Sequence, residues 1–296
     1  MRPLTVAIAA FGVAACVAAV GAGLDAADVQ HGAKAVAMLA LAACTALAGR
    51  TAPQPLRRAL LAFCLLLAAS ALVDLATDRM SVPAPALEGR NGCPLETDAT
   101  TDYRRDQLHY GQLAEVLRFL ALACAVQAVR ILPRSPRPRS RRRLVIIALL
   151  LTPPVLIGPF PFFSGSDAPG LLLAVAPGVL TLTAAVALTA LTMTRAGGSR
   201  TDNALLTVGV ILMLLSAGTA VENLARLYWQ LPDPEPDAGF IGCFSVATTA
   251  STPSVLTAAL AIAVAALFLT APALFTWSAL QVRSSEPTPE AAVDEY

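Results

Sequence analysis

Residues 60–76 read LLAFCLLLAASALVDLA and contain one charged side chain, Asp74. A helix needs about 20 predominantly apolar residues to cross the hydrocarbon core of a bilayer. The basic pair Arg57-Arg58 stands just before this run, where it would mark the membrane surface. The segment therefore predicts a transmembrane helix, and similar runs along the chain decide the fold class.

The composition supports the same interpretation. Hydrophobic residues make up 56% of the 296 residues, charged residues make up 14%, and the mean hydropathy is +0.66. Ordinary globular domains are roughly 45–50% apolar and about 25% charged. Too few charges remain to cover a water-exposed surface, so a soluble, disordered or nucleic-acid-wrapping protein is excluded. The chain is predicted to be an all-α, multi-pass membrane protein.

Apolar runs bounded by charged or turn-forming residues predict eight transmembrane helices. They are approximately Leu4–Leu24, Ala33–Ala48, Leu60–Ala76, Leu113–Leu132, Leu144–Phe163, Leu171–Met193, Leu205–Leu227 and Val255–Leu280. The first run has an alternative as a cleaved signal peptide, with Cys16 at a lipoprotein-like site. A retained helix is favoured because the apolar run continues beyond Cys16.

The basic residues predict the orientation, since Lys and Arg are enriched in short cytoplasmic loops. With the N-terminus inside, 14 of the 21 basic residues fall on the inner side, and Arg118 and Arg226 fall within spans. The five predicted outside are Lys34, Arg79, Arg90, Arg104 and Arg105. Both termini are therefore predicted to be cytoplasmic, with the protein in a plasma membrane. The single lysine and the alanine-rich spans indicate a GC-rich bacterial genome.

An internal repeat is predicted from the third and seventh spans. The segment Leu66–Asp74 aligns with Leu214–Glu222, and both end in an acid. The chain is thus interpreted as two tandem four-helix units, residues 1–143 and 144–281, followed by a disordered acidic cytoplasmic tail, 282–296. Because each unit has an even number of spans, the two units are predicted to be parallel.

The six cysteines fall into two groups. Cys93 and Cys243 lie in corresponding outer loops of the two units, where thiols oxidise readily, so they are predicted to form a disulfide. The others lie within spans, where cysteine behaves as a small hydrophobic residue. These are Cys16, Cys44, Cys64 and Cys124.

Charged side chains within the predicted spans are the main functional signal, because each costs roughly 2.5–3.5 kcal/mol at mid-bilayer on insertion scales. They are Asp74, Glu115, Arg118, Glu222 and Arg226. In one interpretation Glu115–Arg118 and Glu222–Arg226 are intrahelical ion pairs near the membrane surface. In the other, Asp74 and Glu222 converge and, with Asn223 and the two arginines, line an outward-facing polar pocket that binds a proton, a cation or a polar headgroup.

Several functions are disfavoured by what the sequence lacks. Its two histidines, His31 and His109, are predicted in outer loops, so a haem held by two histidines inside the membrane is excluded. No zinc-protease, serine-hydrolase or Walker motif occurs. We therefore predict no metal and no cofactor. The basic segment Arg134–Arg143 is interpreted as an anchor to anionic lipid rather than a nucleic-acid site.

These observations favour a transporter or a permease-like protein that binds a small molecule or a lipid. One alternative is an accessory or sensory subunit that docks onto a protein partner, not identified by the sequence, through its helices. A second, less favoured alternative is an intramembrane enzyme that uses Asp74 and Glu222 as acid and base. The preference for transport rests on architecture rather than on a recognised site.

Overall fold

Seven long helices dominate the computed structural model, which describes residues 3–80, 86–88, 94–95, 98–132, 168–195, 200–229 and 255–284. The helices are α1 (Pro3–Gly23), α2 (Ala27–Ala48), α3 (Gln54–Asp78), α4 (Asp98–Ile131), α5 (Ala168–Arg195), α6 (Arg200–Trp229) and α7 (Val255–Ser284). A 3-10 turn, Gly49–Thr51, joins α2 to α3. Between α3 and α4, strands β1 (Ala86–Glu88) and β2 (Pro94–Leu95) pair antiparallel.

All seven helices are long and apolar enough to cross a membrane. Large aliphatic side chains such as Val13, Leu173 and Leu260 are exposed on them, as expected for residues that face lipid. The prediction of a helical, multi-pass membrane protein is therefore confirmed. The predicted span 144–163 lies outside the described residues. The count of eight helices, the two parallel units and the orientation stay predictions.

Several helices begin earlier than predicted, and the early starts of α2 and α4 matter most for the site. Helix α2 starts at Ala27 rather than Ala33, with Asp28 in its first turn, where a negative charge complements the helix dipole. Helix α4 starts at Asp98 rather than Leu113 and has 34 residues, or about 50 Å at 1.5 Å per residue. Because the hydrocarbon core is only about 30 Å thick, α4 extends beyond it.

These early starts correct two predicted positions. His31 lies within α2 and His109 lies within α4, whereas both were predicted to be in outer loops. Lys34 was counted on the outer side, at the start of the predicted span, and it lies about two turns after the first residue of α2. Hydropathy alone placed the helix starts too late, because the first turns of both helices are polar. The correction matters for function, since His31 and Lys34 now belong to the membrane-spanning part of the protein.

The described helices form a closed ring. Each helix packs against the next one along the described chain, from α1 to α7, and α7 returns to contact α1. The core inside this ring includes the fully buried side chains of Leu60, Phe63, Leu206 and Phe275. A ring of seven helices leaves room at its centre, and this space holds the candidate site.

Glycines allow close helix contact in the part of the ring formed by α5, α6 and α7. A Cβ atom at Gly209 of α6 would lie 2.9 Å from the carbonyl oxygen of Ala271 in α7. A Cβ atom at Gly178 of α5 would lie 3.1 Å from the backbone nitrogen of Val221 in α6. Small residues at such contacts let backbones approach and gain van der Waals packing within a membrane.

We expect Gly209→Ala to lower the free energy of unfolding by about 1–3 kcal/mol, because the added methyl group forces α6 and α7 apart. Gly218→Ala is the matched control, since it lies on the same helix and a Cβ atom there would meet no neighbour within 4 Å. Thermal unfolding of the purified protein in detergent measures both. Equal stability of the two variants would show that this close contact is not needed.

Candidate functional site

A cavity of about 310 Å³ lies inside the ring and is lined by residues of all seven helices. Its polar lining residues are Gln30, His31, Lys34, Ser70, Glu115, Arg118, Thr181, Ser216, Thr219 and Asn223. Its apolar lining residues are Ala18, Met38, Phe63, Leu67, Leu122, Met213, Ala217, Ala265, Phe268, Leu269 and Pro272.

Along α2 and α3 the lining of the cavity changes from polar to apolar residues. Along α2, Gln30 and Lys34 precede Met38, and along α3 the apolar Phe63 precedes Ser70. Because α2 and α3 run in opposite directions, both patterns place polar groups near the α1–α2 turn and apolar groups deeper in the ring. The cavity is therefore amphipathic along its length.

Arg118 is the centre of the charged cluster at the polar end. Its Nη1 donates a hydrogen bond to Oε1 of Glu115, three residues earlier on α4, and its Nη2 donates to Oδ2 of Asp74 on α3. All three side chains are at least half-buried, with Glu115 only 4% exposed. One guanidinium thus bridges two carboxylates on adjacent helices, an arrangement that its fork of N–H donors suits.

Lys34 joins the cluster from α2. Its Nζ lies 3.9 Å from Oδ2 of Asp74, the same oxygen that accepts from Arg118. One turn before Lys34, Nδ1 of His31 pairs with Oδ2 of Asp78 at the end of α3. Two polar contacts therefore tie α2 to α3, in addition to the bridge between α3 and α4.

Glu115 also connects α4 to α5 through its backbone. Oγ1 of Thr181 donates a hydrogen bond of 3.0 Å to the Glu115 carbonyl oxygen. The carboxylate is buried, and its second oxygen, Oε2, has no hydrogen-bond partner among the described residues. A buried acceptor of this kind is costly to leave unpaired.

The predicted pocket residues do not all meet. The structure brings Asp74, Glu115 and Arg118 together, and Asn223 lines the same cavity from α6. Arg226 is exposed on α6 and is not among the residues that line the cavity. Glu222 lies in α6, but its side chain is outside the described part of the structure. The charged groups described in the cavity therefore come from α2, α3 and α4.

Sequence reasoning missed His31 and Lys34 as site residues, because His31 was assigned to an outer loop and Lys34 was counted only as an outer-side charge. A signal was present. Gln30, Lys34 and Met38 follow one another at intervals of four residues, which places them on one face of a helix. Polar residues that share a helical face just before an apolar run could have indicated that α2 begins earlier and presents them inward.

Phe63 is one of the apolar residues that line the cavity. Its ring packs edge-to-face against Phe275 of α7, with the ring centroids 5.4 Å apart, and both side chains are fully buried. Aromatic pairs favour this geometry at such distances. The contact joins α3 to α7 across the interior of the ring.

The described residues give no evidence for a metal site or for a disulfide. No group of three or more His, Cys, Asp or Glu residues that could hold a metal ion occurs among them. The four described cysteines are free thiols, and of these only Cys16 is exposed. The predicted partners Cys93 and Cys243 both lie outside the described residues, so their disulfide stays a prediction.

Comparison with known proteins finds no matching family model, no similar curated protein and no similar solved structure. Function must therefore be argued from the cavity itself. What its geometry offers is a set of fixed charges, a buried unpaired acceptor and an apolar end, all enclosed by membrane-spanning helices.

We expect Arg118→Gln to lower the free energy of unfolding by about 3–5 kcal/mol, because it leaves two carboxylates without their shared cation. Arg105→Gln is the matched control. Arg105 also pairs with an acid three residues earlier on α4, Asp102, at 3.6 Å, but both side chains are more than half exposed. Its loss should cost less than about 1 kcal/mol.

The double variant Glu115→Gln with Arg118→Gln should recover part of the stability, because only Asp74 then remains charged beside Lys34. Chemical or thermal unfolding in detergent measures all three proteins. If Arg118→Gln and Arg105→Gln are equally stable, the buried bridge does not hold α3 and α4 together.

Proposed function

We propose that this protein transports a small polar solute across a bacterial plasma membrane and that the cavity is the solute site. The observation that carries the proposal is a charged cavity enclosed by seven membrane-spanning helices. Charged side chains are rare inside membranes and usually mark substrate or ion pathways. Four of them, from three helices, meet at this cavity.

The volume of the cavity limits the size of the solute. Small-molecule sites usually measure about 300–1,000 Å³, and this one, at about 310 Å³, stands at the lower end. A whole lipid would not fit inside it. Among the functions considered from the sequence, the cavity therefore favours a small solute over a lipid.

In the proposed orientation both termini are cytoplasmic, and the polar end of the cavity faces outward. The solute enters at the end that carries Gln30 and Lys34 and is stopped by the contact between Phe63 and Phe275. Release to the cytoplasm then requires these two rings to separate, which moves α7 relative to α3. This cycle is a form of alternating access around a fixed site.

Filling the cavity should block transport. Ala217 of α6 lines the cavity, and the next residue, Gly218, has open space around the position of a Cβ atom. We expect Ala217→Leu to abolish solute accumulation, because the added side chain occupies the site. Gly218→Leu adds the same group one position along the helix, outside the cavity lining, and should leave accumulation unchanged.

The measurement uses proteoliposomes incubated with a defined mixture of small polar metabolites, followed by mass spectrometry of the vesicle contents. At least one solute should accumulate with the unmodified protein and with Gly218→Leu, and none with Ala217→Leu. Thr219→Leu, which also fills the cavity from α6, replaces Ala217→Leu if the latter does not fold. Identical contents in these vesicles and in protein-free vesicles would refute transport.

A further inference from the structure

We propose that a second cavity, which opens toward the lipid, binds one acyl chain of an anionic phospholipid. This cavity of about 370 Å³ lies between α1, α2 and α7 and shares no lining residue with the first one. Three features assign its occupant: the direction in which the cavity opens, the chemistry of its lining and the arginines beside one of its ends. The inference goes beyond transport, and it stands whether or not the protein moves a solute.

The cavity has a buried inner part and an exposed rim. Leu41, Thr45 and Thr276 line it and are buried, whereas Ile8 and Trp277 line it and are 49% and 48% exposed. All of these residues belong to the membrane-spanning parts of α1, α2 and α7. The cavity therefore opens at the outer surface of the ring, where the surroundings are lipid rather than water.

The lining offers no free hydroxyl donor. Each of its three threonines already donates to a backbone carbonyl oxygen of its own helix: Thr45 to Leu41 at 2.8 Å, Thr270 to Leu267 at 2.9 Å, and Thr276 to Pro272. The rest of the lining is aliphatic or aromatic, with one thiol, Cys44, and no charged side chain. A polar molecule would lose its water here without gaining partners, whereas an alkyl chain fits without that cost.

The length of the cavity matches one leaflet of a bilayer. Its lining on α7 runs from Thr270 to Leu280, a rise of about 15 Å at 1.5 Å per residue. Half of the roughly 30 Å hydrocarbon core is also about 15 Å. Trp277 lies one turn before Gln281, where the membrane-spanning part of α7 ends, and tryptophan favours that level of a bilayer. The cavity thus runs from near the membrane surface to about mid-membrane, as an acyl chain does.

Arginines lie where the headgroup of such a lipid would be. Ala48, the last residue of α2, and Leu280 both line the cavity at this end. A Cβ atom at Gly49 would lie 3.5 Å from Cδ2 of Leu280 and 3.6 Å from Cγ of Arg57. The side chain of Arg57 is therefore close to the end of the cavity, and Arg50, next to Gly49, is exposed.

The positive charge at this end is not balanced by nearby acids. From residue 29 to residue 73 the sequence has three arginines and one lysine but no Asp or Glu, and α1 and α7 contain no acid. Within the described part of the chain, neither Arg50 nor Arg57 forms an ion pair. Basic groups between transmembrane helices bind anionic headgroups, so the lipid that fits this cavity carries a negative charge.

Lipid binding to the purified full-length protein tests the class of ligand. After delipidation in detergent, native mass spectrometry follows titration with phosphatidylglycerol, with phosphatidylcholine that has the same acyl chains, and with glycerol 3-phosphate, which has the charge but no chain. Phosphatidylglycerol should saturate one tight site per protein, phosphatidylcholine should bind about fivefold more weakly, and glycerol 3-phosphate should not bind. Equal binding of the two lipids, binding of neither, or binding of glycerol 3-phosphate would overturn the proposal.

A substitution that fills the cavity then locates the acyl chain. Ala273 lines the cavity from α7, so Ala273→Leu should weaken phosphatidylglycerol binding at least tenfold. Ala263→Leu is the matched control, because Ala263 is exposed on the same helix and lines neither cavity. If both variants bind the lipid equally, the chain lies elsewhere and the proposal is wrong. A dimer that only Ala273→Leu disrupts would show that a second copy fills the cavity, which would also overturn it.

A second variant locates the headgroup and keeps the test decisive if Ala273→Leu does not fold. Arg57→Gln should reduce the preference for phosphatidylglycerol about fivefold and leave phosphatidylcholine binding unchanged, because it removes one positive charge beside the cavity. Arg105→Gln is the control, since it removes an exposed positive charge near the start of α4, at the other end of the bundle. An unchanged lipid preference in Arg57→Gln would contradict the proposed placement.

Discussion

The pairing of Arg118 with two carboxylates is the interaction on which the charged side of the ring depends. A guanidinium within the membrane must be compensated, and its partners come from its own helix and from α3. The bridge therefore fixes how α3 and α4 are rotated against each other. Lys34 adds α2 to the same cluster, and Thr181 adds α5 through the Glu115 carbonyl oxygen. One set of polar contacts thus aligns four of the seven described helices around the cavity.

The described contacts of α6 with α5 and α7 are stabilised by close packing rather than by ion pairs. At the described contacts of α6 with its neighbours, Gly178 and Gly209 allow backbones to approach closely, so packing rather than charge provides the attraction. This difference bears on the proposed cycle. Separating the ion-paired helices would expose charges in a low-dielectric medium, whereas parting Phe63 from Phe275 loses only apolar contacts. Opening at the apolar end, by movement of α7, is therefore the less costly motion.

Most of the fold could be predicted because hydropathy reflects the solvent that each helix meets. The predicted spans match all seven described helices, yet several starts, including those of α2, α3 and α4, were placed too late, since the first turns of these helices are polar. Spacing could place Glu115 and Arg118 on one helix face, because that relation is local. It could not pair Asp74 with Arg118, because that contact depends on which helices are neighbours in the ring and how they are rotated. Lys34 was missed for both reasons.

The sequence repeat predicted matching chemistry from the two units, but the described charges of the cavity all lie on α2, α3 and α4. Helix α6 contributes hydroxyl and amide groups together with apolar residues, and α7 lines the cavity with Ala265, Phe268, Leu269 and Pro272 alone. Under the proposed function, this distribution of lining groups gives a bound solute one preferred orientation, with its polar part toward α2–α4 and its apolar part toward α7. In the proposed cycle the helix that must move is then the one that contacts only the apolar part of the solute, so the strong polar contacts need not break until the inner side has opened.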